Sequence, residues 1–378
     1  MFSEKLRILK EKGLLREIKD RLSSQGPKVI FGKKEFINFS SNDYLGLASH
    51  PYVIAKAKEA IDEYGYGAGA SRLLGGGSIL HKELEDKVAS FMGSEAALVF
   101  NSGYSANTGI IPALTNENTA IFSDEFNHAS IIDGCRLGKA KILVYRHKDL
   151  THLEKLLKEE NARNRIIVTD TVFSMEGDIA PLKDIFDICK RYGAFLYLDD
   201  AHGIGVIGNG RGILQHFNLN PEPWIIRMCT FSKAFGSFGS FIAGASDVIE
   251  WTINNARSFM FSTALPPSVV AASTASLELI ENDSELIKQL WKNRSDAAHL
   301  LEDMGYNIMG SETPIIPLRM GTVENALQVS KHLYKRGIYA PAIRPPTVKE
   351  PRIRLTVTAV HTTEDIERLA EALNELQE

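Results

Sequence analysis

A lysine and an aspartate stand at the ends of two apolar runs, an arrangement suited to chemistry on an amine. Asp199 closes the run 195–198 (FLYL), and Lys233 lies 34 residues later, just after the run 224–229 (WIIRMC). Lys233 is set among small and hydroxyl-bearing residues in the segment 230–236 (TFSKAFG). A strand-end lysine can form a Schiff base, and a strand-end carboxylate can keep a pyridine nitrogen protonated. Their order and spacing therefore predict pyridoxal phosphate (PLP) as the cofactor.

Composition bounds the function classes. The chain has 378 residues, 44% of them hydrophobic and 24% charged, and a net charge of −4 from 43 basic and 47 acidic residues. This balance is ordinary for a globular protein and offers no basic field for a nucleic acid. Cys135, Cys189 and Cys229 are far apart and make no CxxC pair or zinc spacing, so no metal site is expected. With no signal sequence and no apolar run near the ~18 residues of a membrane span, a cytoplasmic location is predicted.

Short apolar segments alternate with helical patterns from about residue 51 onward. Their Val, Ile, Leu and Phe content, without polar alternation, is typical of strands buried on both faces. The alternation predicts an α/β fold with a mainly parallel sheet, in which ligands bind beyond the carboxyl ends of the strands. Asp170, Asp199 and Lys233 lie at such ends. The predicted strands of this sheet are 96–100, 120–122, 141–145, 165–170, 194–199 and 225–230.

Three segments are predicted along the chain. Residues 1–45 form an N-terminal helix and a short strand, 46–275 a large PLP-binding domain, and 276–378 a smaller C-terminal α/β domain. The helix is predicted because leucine and isoleucine recur near helical spacing at positions 6, 9, 14, 18 and 22. The remaining predicted elements are the strands 36–39, 315–320, 337–342 and 352–357, and the helices 323–336 and 363–377.

Glycine-rich runs raise the alternative of a dinucleotide site. Gly203, Gly205 and Gly208 match G-x-G-x-x-G after a strand, but the next residues, 209–212 (NGRG), read as a loop where a dinucleotide site needs a helix. A nicotinamide or flavin site is therefore not expected. Residues 101–107 (NSGYSAN), after an apolar strand, predict instead a helix N-terminus that can bind a phosphate. An ordinary strand-to-helix turn fits the same residues.

Two histidines and two arginines are further candidates. His128 begins a predicted helix and could stack on a pyridine ring, and His202 could bond the phenolic oxygen of the cofactor. Arg352 and Arg354 alternate along a strand, where an arginine is suited to a bidentate bond with a carboxylate. Each has a structural alternative, namely a helix cap, a turn histidine bonded by backbone, or a solvated strand face.

These residues in this order resemble the α-oxoamine synthases, a branch of the fold type I PLP-dependent transferases. The resemblance covers nearly the whole chain and implies a large domain with a mainly parallel sheet plus a smaller C-terminal α/β domain. It also implies an acyltransferase that works as a homodimer. The matching segments are 38–47, 67–72, 127–134, 172–178, 198–203 and 230–233.

The resemblance implies a role for each candidate. Lys233 is the Schiff-base lysine, Asp199 the pyridinium partner, His128 the stacking histidine and His202 the ligand of the phenolic oxygen. Asp170 stands where close relatives often carry Glu. Further cofactor contacts are implied for Ser174 and Thr230, for Gly103 and Tyr104 in the phosphate turn, and for Ser262 and Thr263, which would reach the phosphate of the neighbouring subunit.

Substrate contacts are implied for Asn42, Arg354 and Arg16, with Arg354 holding the amino-acid carboxylate. The segment 343–348 (IRPPTV) resembles the biotin-pathway branch, which condenses L-alanine with a pimeloyl thioester of coenzyme A or acyl-carrier protein. The segment 69–73 (GASRL) favours the same branch. The alternatives are a glycine C-acetyltransferase, an aminotransferase on the same fold, and a non-catalytic PLP-binding protein.

Overall fold

A computed structural model describes residues 2–376 of the chain. Met1, Gln377 and Glu378, which belong to the predicted first and last segments, lie outside the described residues. The α-helices in the described part are α1 Phe2–Glu11, α2 Pro51–Tyr64, α3 Ile79–Met92, α4 Gly103–Leu114, α5 Ala129–Leu137, α6 Leu150–Glu159, α7 Leu182–Tyr192, α8 Ile213–His216, α9 Ser246–Asn255, α10 Arg257–Met260, α11 Pro267–Asn282, α12 Ser284–Asp303, α13 Val323–Lys335 and α14 Thr363–Asn374.

The strands of residues 2–376 form three sheets. They are β1 Lys28–Phe31, β2 Lys34–Asn38, β3 Ala96–Phe100, β4 Thr119–Asp124, β5 Lys141–Tyr145, β6 Asn164–Asp170, β7 Phe195–Asp199, β8 Ile225–Thr230, β9 Ser240–Gly244, β10 Ile315–Arg319, β11 Ile338–Tyr339, β12 Ala342–Ile343 and β13 Arg352–Thr356. The sheet orders are β3-β9-β8-β7-β6-β4-β5, β1-β2-β11 and β10-β13-β12.

The described residues divide into two compact units. The first unit takes the described residues of 1–49 together with 174–178 and the described residues of 288–378, and the second takes 50–173 and 179–287. The domain boundaries expected from the sequence, after residues 45 and 275, stay a prediction.

The second unit is built on the seven-stranded sheet. Strands β5, β4, β6, β7 and β8 run parallel, and β9 lies antiparallel between β8 and β3. Residues of β4, β7, β8 and β9 are buried almost without exception, as their continuous apolar sequences predict for strands covered on both faces. This confirms the predicted α/β class with a mainly parallel sheet. The sequence analysis did not predict β9, because its residues SFIAG follow the lysine loop without a helical spacer.

The first unit holds the two smaller sheets. A hairpin joins β1 to β2 through Gly32, whose φ of 62° is a conformation that favours glycine, and β11 pairs parallel to β2. Strand β13 pairs antiparallel with both β10 and β12. The hydrophobic core of the first unit includes Phe39, Ile316, Leu333 and Leu355 among other buried side chains.

The predicted N-terminal helix is shorter than its leucine pattern suggests. Helix α1 ends at Glu11, and Gly13 follows with a φ of 65° while Leu14 donates its N–H to the Leu9 carbonyl. Glycine in this left-handed conformation stops a helix. Ile18 therefore lies in irregular chain and is almost fully exposed (92%), so its helical spacing was coincidental.

No helix in residues 2–376 is long and apolar enough to cross a membrane.

Candidate active site

Two buried carboxyl groups lie side by side at the carboxyl edge of the large sheet. Strands β6 and β7 end in register, so Asp170 pairs directly with Asp199. Neighbouring residues of parallel strands point to the same face, which places both side chains on one side of the sheet. Lys233 follows β8 by three residues in a tight turn closed by the bond from Gly236 N–H to the Lys233 carbonyl (2.8 Å). The sequence correctly placed all three residues at strand ends.

Asp199 accepts hydrogen bonds from two N–H donors. The side-chain amide of Asn107 donates to its Oδ2 at 2.8 Å, and the backbone N–H of Ala201 donates to its Oδ1 at 3.1 Å. Both carboxylate oxygens are thus held in fixed directions while Asp199 remains buried.

His128 is the N-cap residue of α5. Its backbone N–H donates to Asp170 Oδ2 at 2.6 Å, and its ring Nδ1 accepts the backbone N–H of Ser130 at 3.3 Å. Partial burial lowers the pKa of His128, the Asp199 carboxylate opposes this effect, and the positive charge of Lys233 adds to it. His128 therefore caps α5, and its role as the stacking histidine stays a prediction.

Asp170 is tied to the segment that carries His128. Besides its bond from His128, it donates its own backbone N–H to Asn127 Oδ1 at 2.8 Å. Burial raises the pKa of Asp170 well above its usual range, and the negative charge of Asp199 raises it further. The predicted strand end therefore has a structural task, which is to hold the start of α5 against β6.

Two residues that link these groups were missed by the sequence analysis. Asn107 and Ser130 are fully buried, and the Asn107 amide donates to Ser130 Oγ at 2.8 Å. Asn107 lies four residues after Gly103 on α4, so both residues share a helix face. The four-residue spacing from Gly103 was the sequence signal that could have indicated Asn107 as a site residue.

The predicted phosphate turn lies at the start of α4. Ser102 and Ser105 form a capping box that uses their own backbone N–H groups, while the N–H groups of Gly103 and Tyr104 lie in the first turn, where a helix offers no acceptor. A Cβ on Gly103 would lie only 2.8 Å from Thr230 Cγ2, so glycine is required for this close approach. Thr230 Oγ1 is buried and has no hydrogen-bond partner within residues 2–376. A phosphate oxygen would satisfy this hydroxyl, so the residues fit the predicted group.

The other predicted cofactor contacts are placed less directly. The Tyr104 hydroxyl donates to Asp133, which leaves its backbone N–H as the group available at the turn. Thr263 pairs with Ser71 through a β-bridge, and its carbonyl accepts the Asn101 amide at 2.7 Å. Thr263 is exposed and Ser262 is half-buried. Their role toward a neighbouring subunit stays a prediction.

His202 lies in a turn that Asp200 organises. The Asp200 carboxylate accepts the Thr171 hydroxyl and the backbone N–H of Ile213, the latter at 3.0 Å. A Cβ on Gly203 or Gly212 would come within 2.0 Å of this carboxylate, so both ends of the turn need glycine. Burial raises the pKa of Asp200 to about 6. His202 is buried in this turn, three residues after Asp199, and its role toward the phenolic oxygen stays a prediction.

In the first unit, Arg352 and Arg354 are buried, so the solvated-face alternative is wrong for both. Arg352 pairs with the Glu176 carboxylate at 2.9 Å. Arg354 instead donates to neutral oxygens, which are the Ser174 carbonyl, Asn42 Oδ1 (3.0 Å) and Thr356 Oγ1 (2.8 Å). The structure thus brings three predicted residues, Ser174, Asn42 and Arg354, into one hydrogen-bonded group.

Arg16 contacts the segment 343–348 that the sequence analysis singled out. Its guanidinium donates to Thr347 Oγ1 at 3.1 Å, and Arg344 donates to the carbonyls of Gly13 (2.6 Å) and Leu15 (2.7 Å). The irregular chain after α1 is thereby fixed to this segment. No group of three or more His, Cys, Asp or Glu that could hold a metal is found within residues 2–376.

The fold and the strand-end residues define a class of protein. A mostly parallel seven-stranded sheet that carries Asp199 and Lys233 at its carboxyl edge is the architecture of the fold type I PLP enzymes.

Comparisons with known proteins identify the family. The model of the family "Aminotransferase class I and II" matches residues 34–373. A putative 8-amino-7-oxononanoate synthase of Thermodesulfovibrio yellowstonii is 52% identical over 99% of this chain and 96% of its own length. The 8-amino-7-oxononanoate synthase of Geobacter sulfurreducens is 45% identical, with 97% and 95% covered. The solved serine palmitoyltransferase from S. paucimobilis with a bound PLP–myriocin aldimine is 30% identical, with a TM-score of 0.93 and 99% and 96% covered.

The chain therefore belongs to the aminotransferase class I and II family and, within it, to the α-oxoamine synthases, most like the 8-amino-7-oxononanoate synthases.

Proposed function

We propose that this protein condenses L-alanine with a pimeloyl thioester, with loss of CO2, to give 8-amino-7-oxononanoate for biotin biosynthesis. The observation that carries the proposal is full-length similarity. Eight curated 8-amino-7-oxononanoate synthases are 43–52% identical to the chain over 96–99% of its residues. PLP is the cofactor, in keeping with the family and with PLP-bound relatives of the same fold.

When bound, PLP supplies an electron sink for negative charge at the α-carbon of the amino acid. The Asp199 carboxylate would hold a proton at the ring nitrogen, since two N–H donors already fix its direction. His128 would lie against the ring face, and His202 would bond the phenolic oxygen. The start of α4 and the partnerless Thr230 hydroxyl would bind the phosphate.

Lys233 would move the proton of the reaction. Its Nζ removes a proton from the α-carbon of alanine. The α-carbon then forms a bond to the carbonyl carbon of the thioester, and the C–S bond breaks. The thiol leaves with a proton taken from solvent. The carboxylate leaves as CO2, and Lys233 returns its proton to the α-carbon. Alanine, thioester and one proton thus give the amino-ketone, CO2 and free thiol.

Arg354 would bind the alanine carboxylate. Its guanidinium is buried and donates to neutral oxygens, so its positive charge is not cancelled by them. Asn42 would keep the planar fork oriented for a carboxylate. Arg16, hydrogen-bonded to Thr347, is the proposed contact for the acyl substrate.

We also propose a cytoplasmic homodimer. Exposed Thr263 and half-buried Ser262 lie on a segment that forms a β-bridge with Ser71. In the dimer, their hydroxyl groups would bind the phosphate of the PLP held by the second copy. Light scattering on the PLP-loaded protein tests this proposal. A stable and active monomer at assay concentrations would exclude it.

A substrate panel tests the reaction. Glycine, alanine and serine are each combined with acetyl, succinyl, pimeloyl and palmitoyl thioesters, and the pimeloyl group is offered on both coenzyme A and acyl-carrier protein. We expect alanine with a pimeloyl donor to give the highest kcat/KM, with 8-amino-7-oxononanoate found by mass spectrometry. Preference for glycine with acetyl-coenzyme A would identify a glycine C-acetyltransferase instead. Preference for serine with the palmitoyl donor would match the reaction named for the solved palmitoyltransferases, and complete conversion to pyridoxamine with alanine alone would indicate an aminotransferase.

A further inference from the structure

Four hydrogen bonds, three of them buried, form a network around Asn107. Tyr197 donates its hydroxyl to Asn107 Oδ1 at 2.7 Å. The Asn107 amide donates one hydrogen to Asp199 Oδ2 and the other to Ser130 Oγ, both at 2.8 Å. Ser130 Oγ lies 2.7 Å from His128 Nδ1. Every side chain in this network except His128 is buried, so water does not compete for the three bonds that Asn107 makes.

The direction of each bond follows from hydrogen-bond chemistry. The Asp199 carboxylate can only accept, so the group facing it must be the NH2 of Asn107. Both amide hydrogens are then used, and Ser130 Oγ accepts the second one. The Ser130 hydroxyl can then donate its own hydrogen to His128 Nδ1, which lies 2.7 Å away. The backbone N–H of Ser130 points to the same nitrogen at 3.3 Å, which independently requires Nδ1 to be an acceptor.

We infer that Asn107 and Ser130 are positioning residues that hold His128 as the neutral tautomer with its hydrogen on Nε2. In this arrangement the orientation of Asp199 and the tautomer of His128 are set by one amide. A hydrogen on Nδ1 would confront two donors at once, so both the other neutral tautomer and the imidazolium are disfavoured.

The consequence for the proposed reaction is a fixed neutral ring next to the reacting groups. The charged and titratable groups that face His128 are Asp199, Asp170 and Lys233. A neutral imidazole adds no positive charge that would compete with the protonated ring nitrogen for the Asp199 carboxylate. The inference rests on the proposed function only for the identity of the ring beside His128.

The tautomer can be measured directly on the PLP-loaded, full-length protein. Long-range proton–nitrogen NMR of histidine-labelled protein distinguishes the two tautomers, and a His128→Gln variant identifies the resonances. We expect the wild-type ring to carry its hydrogen on Nε2. A wild-type ring with its hydrogen on Nδ1 would overturn the inference before any variant of the network is made.

Three variants then test whether the hydrogen-bond network sets the tautomer of His128. Ser130→Ala removes the hydroxyl donor but keeps the backbone N–H at 3.3 Å, so it should lower the share of the Nε2–H tautomer without abolishing it and raise the pKa of His128, with about a tenfold loss of kcat. Asn107→Ala should do the same and lower kcat about 100-fold, because Asp199 also loses one of its two donors. Tyr197→Phe is the matched control, since Asp199 still fixes the direction of the amide, and it should leave the tautomer unchanged.

The outcomes separate this inference from the proposed function. If Ser130→Ala and Asn107→Ala leave the His128 tautomer and its pH titration as in the wild type, Asn107 and Ser130 do not set the tautomer, whatever reaction the enzyme catalyses. A second outcome is that the substrate panel shows no preference for alanine with a pimeloyl donor, while NMR finds the Nε2–H tautomer in the wild type and a smaller share of it in the two variants. In that case only the proposed reaction is wrong.

Discussion

The strand ends of the second unit and the arginine face of the first unit both bury charge, but they balance it differently. Asp199 receives its donors from the chain itself, through Asn107 and the backbone of Ala201. On strand β13, Arg352 is matched by the Glu176 carboxylate, whereas Arg354 donates to neutral oxygens. An isolated buried charge is costly unless an opposite charge compensates it. The difference supports the proposal that Arg354, rather than Arg352, binds the carboxylate of the substrate.

The largest effect is expected at the centre of the second unit. Lys233→Ala should reduce condensation about 10³-fold or more, because the amine that moves the proton is removed while the fold is kept. Steady-state kinetics measure the loss, and mass spectrometry after borohydride treatment should find no pyridoxyl group on the peptide containing position 233. Lys190→Ala, an exposed lysine on α7, is the control. A Lys233→Ala enzyme within tenfold of the wild type would refute the role.

The arginine pair allows a matched test of the first unit. Arg354→Lys keeps the positive charge but loses the planar fork, and should raise the KM for alanine about 10- to 100-fold. Arg352→Lys makes the same change two residues away and should leave that KM within about threefold, while lowering the free energy of unfolding by about 1–2 kcal/mol. Equal effects of the two substitutions on the alanine KM would remove the distinction between them.

A buried histidine of the first unit gives a contrast with His128 of the second. His361 stacks on Phe39 with ring centroids 4.4 Å apart and bonds the Thr358 N–H at 3.0 Å, and burial lowers its pKa to about 4. A histidine whose folded pKa is lowered adds stability above its unfolded pKa of about 6.5, and this is lost as the pH falls toward 4.

Wild-type protein should therefore lose roughly 3 kcal/mol of unfolding free energy over that range through His361. His361→Asn retains an acceptor for Thr358 but does not titrate, so its urea unfolding should depend less on pH between 6.5 and 4. Exposed His299 serves as the control through His299→Gln. An unchanged pH slope in His361→Asn would show that His361 is not a source of the dependence. Condensation activity at pH 7 should be little affected, in contrast to variants around His128.

The smallest effect is expected at the phosphate turn, where Gly103 lies close to Thr230. Gly103→Ala should weaken PLP binding about tenfold, because the new Cβ would lie 2.8 Å from Thr230 Cγ2. Thr230→Ser removes that methyl group while keeping the hydroxyl, so the double variant should recover most of the affinity. Gly26→Ala, where a Cβ meets nothing within 4 Å, is the control. Fluorescence titration of PLP measures the series, and failure of the double variant to recover would exclude the steric explanation.

Much of the fold was predictable because the signals are local. Runs such as AALVF in β3 and KILVY in β5 have the composition of buried strands, and their predicted bounds are those of the structure. The order of Asp199 and Lys233 after two such runs placed both at the same edge of a parallel sheet. The extent of α1 was not predictable from leucine spacing, because Gly13 adopts a left-handed conformation that overrides the pattern.

By itself, the sequence determined the α/β class, the predicted cofactor and the residues at the strand ends, since strand periodicity and chain order are enough to place a strand's last residue. Only the tertiary structure decided that Asn107 joins Asp199 to Ser130 and His128, residues that lie as many as 92 positions apart. It also decided that Glu176 neutralises Arg352 and leaves Arg354 among neutral oxygens. Alternation along β13 gives both arginines the same face, and the identity of the facing partner is set by a distant part of the chain that no local pattern encodes.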